Sequence, residues 1–253
     1  GIGNRMFCVS MALMLAGSAF SSAHAQGVVG EWAQVQAPPA PTLEQVTVDP
    51  SKTVLLVMDF GQANCSREPR CVADVPHIKS LLDQARAHNL FVVYTGFPGL
   101  TVMSEIAPRA GEPTVVGHAD KFYDTHLDEM LKQHGITTVI ACGTAANGAE
   151  LFTAFGAAAR GYHVIVPVDC MPGRSAYAEQ TVVWGMANDP GLAPPRAFAG
   201  GGRPGAGAAR PGGGPGAAGG RGARGAAGAG PSGRGGPPPG YATLTSSERI
   251  HFG

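Results

Sequence analysis

Three places along the chain carry residue types that could take part in catalysis. Asp59 directly follows an apolar run at residues 53–58, where partial burial would raise the pKa of its carboxyl group and suit it to proton transfer. Lys121, in a loop before a predicted helix, could keep such a carboxylate ionised and hold its orientation. The turn at residues 143–149 is built from small residues that let a ligand approach the backbone closely. Amide groups at the start of the following helix could then hold an oxyanion.

Each of these features also has a structural explanation that the sequence leaves open. Asp59 could cap a helix or a loop, and Lys121 could be a solvated surface lysine. The small residues of the turn could serve only tight packing between a helix and the sheet. An assignment of function therefore depends on whether the fold brings the three features together.

The elements that must position these residues alternate as strand and helix. Apolar, mostly β-branched runs predict strands buried on both faces, at residues 53–58, 90–94, 137–142 and 163–168, with a last strand at 241–245. Helical patterns follow Asp74 and Pro76, Thr125, the small-residue turn and Ala176. This order predicts an α/β fold, a three-layer αβα sandwich with a mainly parallel, Rossmann-like sheet. Ligands bind at the carboxyl ends of such strands, where Asp59, Gly143 and Asp169 should converge.

The composition is uneven along the chain. Residues 199–240 contain 19 Gly, 10 Ala, 7 Pro, 5 Arg and one Ser, and such a tract cannot bury enough apolar surface to offset its ordering entropy. We therefore expect a disordered insertion there, between a domain at residues 51–198 and its final strand within residues 241–253. The formal net charge is zero, although the tract has five Arg and no acid. The rest of the chain is consequently acidic, which argues against a core that binds nucleic acid.

The first residues have the pattern of an export signal. Arg5 precedes an apolar run at residues 7–20, and an A-x-A-type cleavage site follows at residues 23–25. This pattern predicts a signal peptide at residues 1–25 and a periplasmic or secreted protein without stable membrane insertion after cleavage. An uncleaved membrane anchor is the alternative. An extended leader at residues 26–50 should then run along the surface.

Four cysteines follow the predicted signal. Cys65 and Cys71 lie six residues apart in a polar, Pro-containing loop, and an exported protein can form disulfides. They are therefore the favoured pair, with two free thiols as the alternative. Cys142 lies inside a predicted strand and reads as a small core residue rather than a nucleophile.

Together these residues resemble the isochorismatase-like hydrolases, a family that includes nicotinamidases, N-carbamoylsarcosine amidohydrolases and isochorismatases. The segment TVLLVMDF is similar to the first-strand motif that ends in the family's catalytic Asp, here Asp59. The segment DKF is similar to the one that carries its catalytic Lys, here Lys121. The third motif, G-x-x-T-x-x-C-V-x-x-T, aligns from Gly143 to Thr153.

The resemblance implies a hydrolase that departs from its family at the nucleophile. Ala149 stands at the position of the family's nucleophilic Cys, and Glu150 replaces the usual apolar residue. In amidase members the Asp deprotonates the Cys and the thiolate attacks an amide or nitrile carbon, which alanine cannot do. Isochorismatases hydrolyse a vinyl ether without that Cys, and the Asp serves as general acid. The resemblance thus implies an exported hydrolase of a small molecule in which Asp59 and Lys121 act by acid–base chemistry. A non-catalytic binding protein on the same fold is the alternative.

The substrate pocket is expected to have an aromatic lining, which would suit a small planar or cyclic substrate. The candidate contacts are Phe60, Phe97, Phe122, Tyr123 and Gly148. Core packing is an equally good explanation for each aromatic residue. The metal-binding residues of nicotinamidases have no counterpart near Asp59, and His118 and His126 lie eight residues apart around a loop. We therefore expect no metal and no cofactor. A small-molecule substrate is the expected partner, and a homo-oligomer is compatible with the sequence.

Overall fold

The computed structural model describes residues 27–189, Leu192 and residues 240–253. The predicted signal peptide lies outside the described residues, and so does the Gly-rich tract apart from Gly240. The disorder predicted for that tract stays a prediction.

The chain divides into two units, Gly1–Pro39 and Ala40–Gly253. In the first unit, the described residues include one exposed helical turn, α1 (Gly27–Gly30). The second unit contains strand β1 (Val46–Val48), which pairs with the last strand of the chain. The leader predicted at residues 26–50 is therefore not an extended surface chain throughout, because Gly27–Gly30 is helical and Val48 of β1 is buried.

A six-stranded parallel sheet forms the centre of the second unit. Its strands are β2 (Thr53–Met58), β3 (Phe91–Gly96), β4 (Thr114–Val116), β5 (Thr138–Gly143), β6 (His163–Pro167) and β7 (Ala242–Thr245). Their order across the sheet is β4-β3-β2-β5-β6-β7. Strand β1 and β8 (Ile250–Phe252) form a separate two-stranded parallel sheet. The predicted parallel α/β fold is confirmed, including the strand that follows the Gly-rich tract.

Helices cover the sheet on both faces. They are α2 (Gln62–Cys65), α3 (Pro69–Ala87), α4 (Leu127–Gln133), α5 (Leu151–Ala159) and α6 (Ala176–Asn188). Short 3-10 turns lie at Pro50–Lys52, Ser104–Ile106 and Ser247–Arg249, and a π-helical turn at Ala146–Glu150 leads into α5. In the part of the chain described, no helix is long and apolar enough to cross a membrane.

Helix α3 begins earlier than the sequence indicates. The sequence pattern predicts a start near Asp74 and Pro76, but the helix begins at Pro69. Proline is well tolerated in the first helical turn, because its missing N–H would have no partner there. Pro76 therefore lies inside the helix. The helix ends at Ala87, close to Asn89, which has a left-handed φ of 57°.

Alternate side chains of the central strand β2 enter two different cores. Leu56 and Met58 pack in the core that α4, α5 and α6 cover, whereas Leu55 and Val57 pack in the core beneath α3. All six residues of β2 are buried, as the continuous apolar run predicts. Burial of each such leucine contributes about 2 kcal/mol to the free energy of unfolding. The centre of the sheet is therefore stable, and it holds the residues at its carboxyl edge in place.

The winding of the chain reverses between β2 and β5. From β2 the chain continues to β3 and β4 on one side, and from β5 it continues to β6 and β7 on the other. Such a reversal leaves a crevice outside the carboxyl ends of the two central strands, where ligands bind in open α/β sheets. Asp59 follows β2 and Thr144 follows β5, so both residues border this crevice.

Candidate active site

Backbone hydrogen bonds hold Asp59 at the end of β2. Its amide donates to the carbonyl of Thr95 at 3.0 Å, and its carbonyl accepts from the Gly61 amide at 2.8 Å and from Asn64 Nδ2 at 2.9 Å. Its φ of 62° lies in the left-handed region, which costs a non-glycine residue roughly 1 kcal/mol. These hydrogen bonds maintain the unusual conformation, and the fold therefore fixes the place from which the carboxylate projects.

Lys121 forms a salt bridge with the Asp59 carboxylate. Its Nζ lies 2.8 Å from Oδ1 and 2.8 Å from Oδ2 of Asp59. The Lys121 side chain is 1% exposed and the Asp59 side chain 13% exposed, so water screens this pair weakly. The alternative that Lys121 is a solvated surface residue is therefore wrong.

Thr153 positions the segment that carries Lys121. Its hydroxyl accepts a hydrogen bond from the Lys121 amide at 3.2 Å and donates to the carbonyl of Ala119 at 3.1 Å. Thr153 is fully buried on α5, and it corresponds to the last threonine of the third motif. These two hydrogen bonds join the end of the third motif to the loop that carries the DKF segment.

Burial controls the acidity of Asp59. Removal of the carboxylate from water raises its pKa above the ordinary value, and the hydrogen bond and charge of Lys121 oppose that rise without cancelling it. A raised pKa makes the protonated form more accessible near neutral pH. Asp59 is thus suited to give and take a proton at this edge of the sheet.

The turn after β5 packs closely at its first residue, Gly143. A Cβ at Gly143 would lie 2.8 Å from Met58 Cε and 3.0 Å from Glu150 Oε2, which is too close for an alanine without displacement. The Thr144 amide donates to the Met58 carbonyl, and the peptide bond between Thr144 and Ala145 is cis. This close approach brings the turn against the end of β2, next to Asp59.

Glu150 is buried in the same turn without a partner. Its side chain is fully buried, and neither carboxyl oxygen has a hydrogen-bond partner. Burial raises its pKa to about 8, so the group is mostly protonated at neutral pH. It does not line the cavity described below, since its Oε2 faces the Gly143 backbone in the interior.

Asp59, Lys121 and Ala149 line one cavity of about 460 Å³, here called the reaction cavity. Its other walls are Phe97, Pro98, Val116, Gly117, His118, Ala119, Asp124, Thr144 and Ala145. The structure therefore brings together the three residues that the sequence motifs nominate. The Ala149 side chain stands where the family's nucleophile is expected, and it offers only a methyl group.

Among the predicted pocket residues, only Phe97 lines the reaction cavity. Phe60 is 1% exposed in the core beneath α3, and Phe122 is 4% exposed in the opposite core. Tyr123 is 63% exposed and lies outside the cavity wall, as does Gly148. For Phe60 and Phe122, core packing is the explanation that fits.

Sequence reasoning missed several residues of the cavity wall, among them Val116, Asp124 and Thr144. Thr144 could have been found, because it lies two residues after a predicted strand, at the carboxyl edge. Val116 and Asp124 lie on the three-residue strand β4 and on a loop, whose paths depend on tertiary contacts. Asp124 has a left-handed φ of 52° that its sequence context does not indicate.

The histidines near Lys121 do not converge on a metal site. His118 lines the reaction cavity and packs edge-on against Tyr123, whereas His126 precedes α4 and lines a different cavity. Among the described residues, no group of three or more His, Cys, Asp or Glu could hold a metal ion.

The four cysteines in the described part of the chain form one disulfide and two buried thiols. Cys65 and Cys71 form a disulfide with a Cα–Cα distance of 5.3 Å, which confirms the favoured pairing. Cys142 is fully buried in the core beneath α3, and burial raises the pKa of its thiol. A buried, protonated thiol is a poor nucleophile, and Cys142 does not line the reaction cavity.

The isochorismatase domain model matches residues 53–195, more than half of the chain. The chain belongs to the isochorismatase family. It is 33% identical over 116 residues to a secreted isochorismatase effector of Verticillium dahliae, a match that covers 40% of this chain and 61% of the effector. It therefore spans less than two thirds of that relative's length. An isochorismatase family protein of Bacillus subtilis is 25% identical over 156 residues, or 51% of this chain and 82% of the relative.

Solved structures of this family share the fold. A cysteine hydrolase from Pseudomonas syringae superposes with a TM-score of 0.54 at 21% identity, covering 59% of this chain and 90% of that chain. An isochorismatase from Pseudomonas putida superposes with a TM-score of 0.53 at 19% identity, covering 59% of this chain and 94% of that chain. At these identities the likeness shows that this isochorismatase-family chain has the same fold, and nothing about its substrate.

Proposed function

We propose that the chain is an exported hydrolase that cleaves a small molecule by the acid–base chemistry of Asp59 and Lys121, without a cysteine nucleophile. The observation that carries this proposal is the buried Asp59–Lys121 pair. The pair lines one cavity together with Ala149, whose methyl group has no reactive atom. A methyl group cannot form a covalent intermediate, so water must supply the attacking oxygen.

A vinyl ether is the bond class that best suits this set of groups. The protonated Asp59 carboxyl gives its proton to the terminal vinyl carbon, and an oxocarbenium ion forms at the carbon bonded to the ether oxygen. Water adds to that carbon, and the resulting hemiacetal or hemiketal breaks into an alcohol and a carbonyl compound. Asp59 is left as a carboxylate, and Lys121, 2.8 Å from both of its oxygens, stabilises the negative charge until a proton returns.

Three observations support export. The sequence carries a signal-like segment at residues 1–25, a relative is named as a secreted effector, and Cys65 and Cys71 form a disulfide. Disulfides persist in oxidising compartments, so the bond suits a periplasmic or extracellular protein.

The second candidate function is small-molecule binding without catalysis. Glu150 favours it, because a fully buried carboxyl without a hydrogen-bond partner lies in the turn that neighbours the reacting groups. Such a substitution is tolerated more readily in a site that only binds a ligand than in one that must stabilise developing negative charge.

A hydrolysis screen on the purified protein separates the two candidates. It should cover aryl vinyl ethers, aryl esters and small amides, with Asp59→Asn alongside and Asp83→Asn as a control at an exposed carboxylate outside the cavity. Turnover of a vinyl ether that Asp59→Asn abolishes supports the hydrolase. Thermal stabilisation by the same compounds without any turnover supports the binding protein.

A further inference from the structure

A second cavity of about 440 Å³ adjoins the reaction cavity. Phe97 is common to the lining of both cavities. The other residues around this second space, here called the side cavity, are Gln62, Ala63, Ser66, Arg67, Gly99, Leu100 and Thr101. Apart from Phe97 and Leu100, these residues are polar or small, in contrast to an ordinary apolar crevice.

The side cavity is built by the segments that leave β2 and β3. The Gln62 amide donates to the Thr101 carbonyl at 2.7 Å, and the Met103 amide donates to the Phe60 carbonyl at 2.9 Å. Leu100 packs directly over Gly61, where any Cβ would clash with its Cδ1 atom. Since Gly61 is only two residues from Asp59, these contacts join the wall of the side cavity to the segment that follows the reacting residue.

The disulfide presents Arg67 to the side cavity. Arg67 lies between Cys65 and Cys71, whose side chains are buried while Arg67 is exposed. The bond restricts the loop to conformations that keep both ends against the core, and Arg67 is thus held at the rim. Within the described part of the chain, no carboxylate forms a salt bridge with Arg67, so its guanidinium is available to a ligand.

The charges of the two cavities are complementary. Among the described residues that line the reaction cavity, Lys121 is the one lysine or arginine; it is already paired with Asp59, and Asp124 adds a second carboxylate. An anionic group would be repelled there. In the side cavity, Arg67 is a cation whose neighbours include the neutral side chains of Gln62 and Thr101. One guanidinium with neutral neighbours suits a singly charged carboxylate better than a phosphate dianion, which usually needs more than one cation.

We propose that the side cavity is a carboxylate subsite, in which Arg67 binds the carboxylate of a substrate whose scissile bond lies at Asp59. The part of the substrate between its carboxylate and its scissile bond then packs on Phe97. The proposal rests on the proposed function for the location of the scissile bond, and it narrows the substrate class to compounds with one carboxylate separated from the reacting bond by a ring or a comparable spacer.

Binding of a matched pair of ring compounds tests the subsite without any need for turnover. 4-Hydroxybenzoate and 4-hydroxybenzamide have the same shape and differ in charge, and both are titrated calorimetrically into wild type, Arg67→Gln and Arg109→Gln. Arg109 is 63% exposed and lines neither cavity, so its variant is the control.

We expect the benzoate to bind wild type and Arg109→Gln about tenfold more tightly than the amide, since a hydrogen bond to a charged group is worth about that factor. In Arg67→Gln the two ligands should bind equally.

Failure of the subsite and failure of the hydrolase give different results. Equal affinities in wild type, no binding of 4-hydroxybenzoate to wild type, or an unchanged preference in Arg67→Gln overturns the subsite. The hydrolase is tested separately with 4-(vinyloxy)benzoate and 4-(vinyloxy)benzamide, which water cleaves to the same two phenols and acetaldehyde. If neither compound is cleaved but the preference for 4-hydroxybenzoate still depends on Arg67, the subsite is supported and vinyl ether hydrolysis is contradicted. If both are cleaved, Arg67→Gln should raise KM for the benzoate alone and leave kcat unchanged.

Discussion

Lys121 Nζ lies 2.8 Å from each carboxylate oxygen of Asp59, and only 1% of the lysine side chain is exposed. The two residues are 62 positions apart in the sequence. One terminates the central strand, while the other lies on a loop that Thr153 of α5 holds in place. A buried cation at this distance makes the protonation of Asp59 depend on Lys121, and that dependence can be measured.

Replacement of Lys121 by methionine should raise the pKa of Asp59. Burial already raises that pKa, and Lys121 is the group that opposes the rise. General-acid catalysis needs the protonated carboxyl, so the rate should fall with rising pH as Asp59 ionises. In Lys121→Met that fall should begin at higher pH than in wild type.

The measurement is a pH–rate profile, joined by a carbon-13 NMR titration of Asp59 that requires no activity. Lys121→Arg retains the positive charge and should keep the pKa near its wild-type value. An Asp59 pKa that is the same in Lys121→Met and wild type would show that the pair does not control the acid.

Glu150 should make the protein less stable as the pH rises. Its pKa is about 8 when folded against an ordinary value of 4.5, so between these values the folded state binds more protons than the unfolded state. The free energy of unfolding should therefore decrease from about pH 4.5 to about pH 8, by an amount on the order of a few kcal/mol.

Glu150→Gln carries no ionisable group and should lose this slope. We expect it to resemble wild type in urea unfolding at pH 5 and to be more stable than wild type at pH 9. Glu129→Gln, at an exposed glutamate, is the matched control. Parallel stability curves for wild type and Glu150→Gln would mean that Glu150 is not buried as an acid.

Ala149→Cys should introduce a reactive thiol into the reaction cavity. The new side chain would share the cavity with Asp59, which can accept its proton, and with Lys121, which favours the thiolate. We expect rapid labelling by iodoacetamide and a new, thiol-dependent esterase activity. The wild-type protein is the control, because Cys142 and Cys170, the free cysteines in the described part of the chain, are both buried. A folded variant whose introduced thiol reacts no faster than those two would contradict the geometry.

Loss of the Cys65–Cys71 disulfide should destabilise the protein moderately. The bond closes a loop between residues six positions apart, and the chain-entropy estimate for so short a loop is about 2 kcal/mol. The double variant Cys65→Ser, Cys71→Ser should therefore unfold at lower urea concentration. It should also lose the preference for 4-hydroxybenzoate, because Arg67 is no longer held at the rim. If the double variant is less stable but still prefers 4-hydroxybenzoate, the disulfide stabilises the loop but is not needed to place Arg67.

The sequence predicts the centre of this molecule better than its edges. Strands β2 and β5 are long apolar runs, so their ends locate Asp59 and Gly143 without any tertiary information. Strand β4 has only three residues, and β1 pairs with a strand about 200 residues away, so local patterns reveal neither.

In the candidate site, too, some residues are predicted by local patterns and others depend on tertiary contacts. The motifs nominate Asp59 and Lys121, and the structure places these two side chains in contact. Aromatic type alone does not distinguish Phe97 in the cavity from Phe60 in the core. Glu150 stands where the third motif usually has an apolar residue, and its side chain faces the interior, a direction that depends on the backbone of the π-helical turn.

The central claim is that Asp59 supplies the proton, and the most direct measurement is kcat/KM for hydrolysis of 4-(vinyloxy)benzoate by wild type, Asp59→Asn and Asp83→Asn. Asparagine preserves the shape of the side chain and removes its transferable proton. We expect Asp59→Asn to lose at least about a hundredfold in kcat/KM, the usual contribution of a general acid, while Asp83→Asn retains wild-type activity. Wild-type turnover that survives in Asp59→Asn would contradict the account.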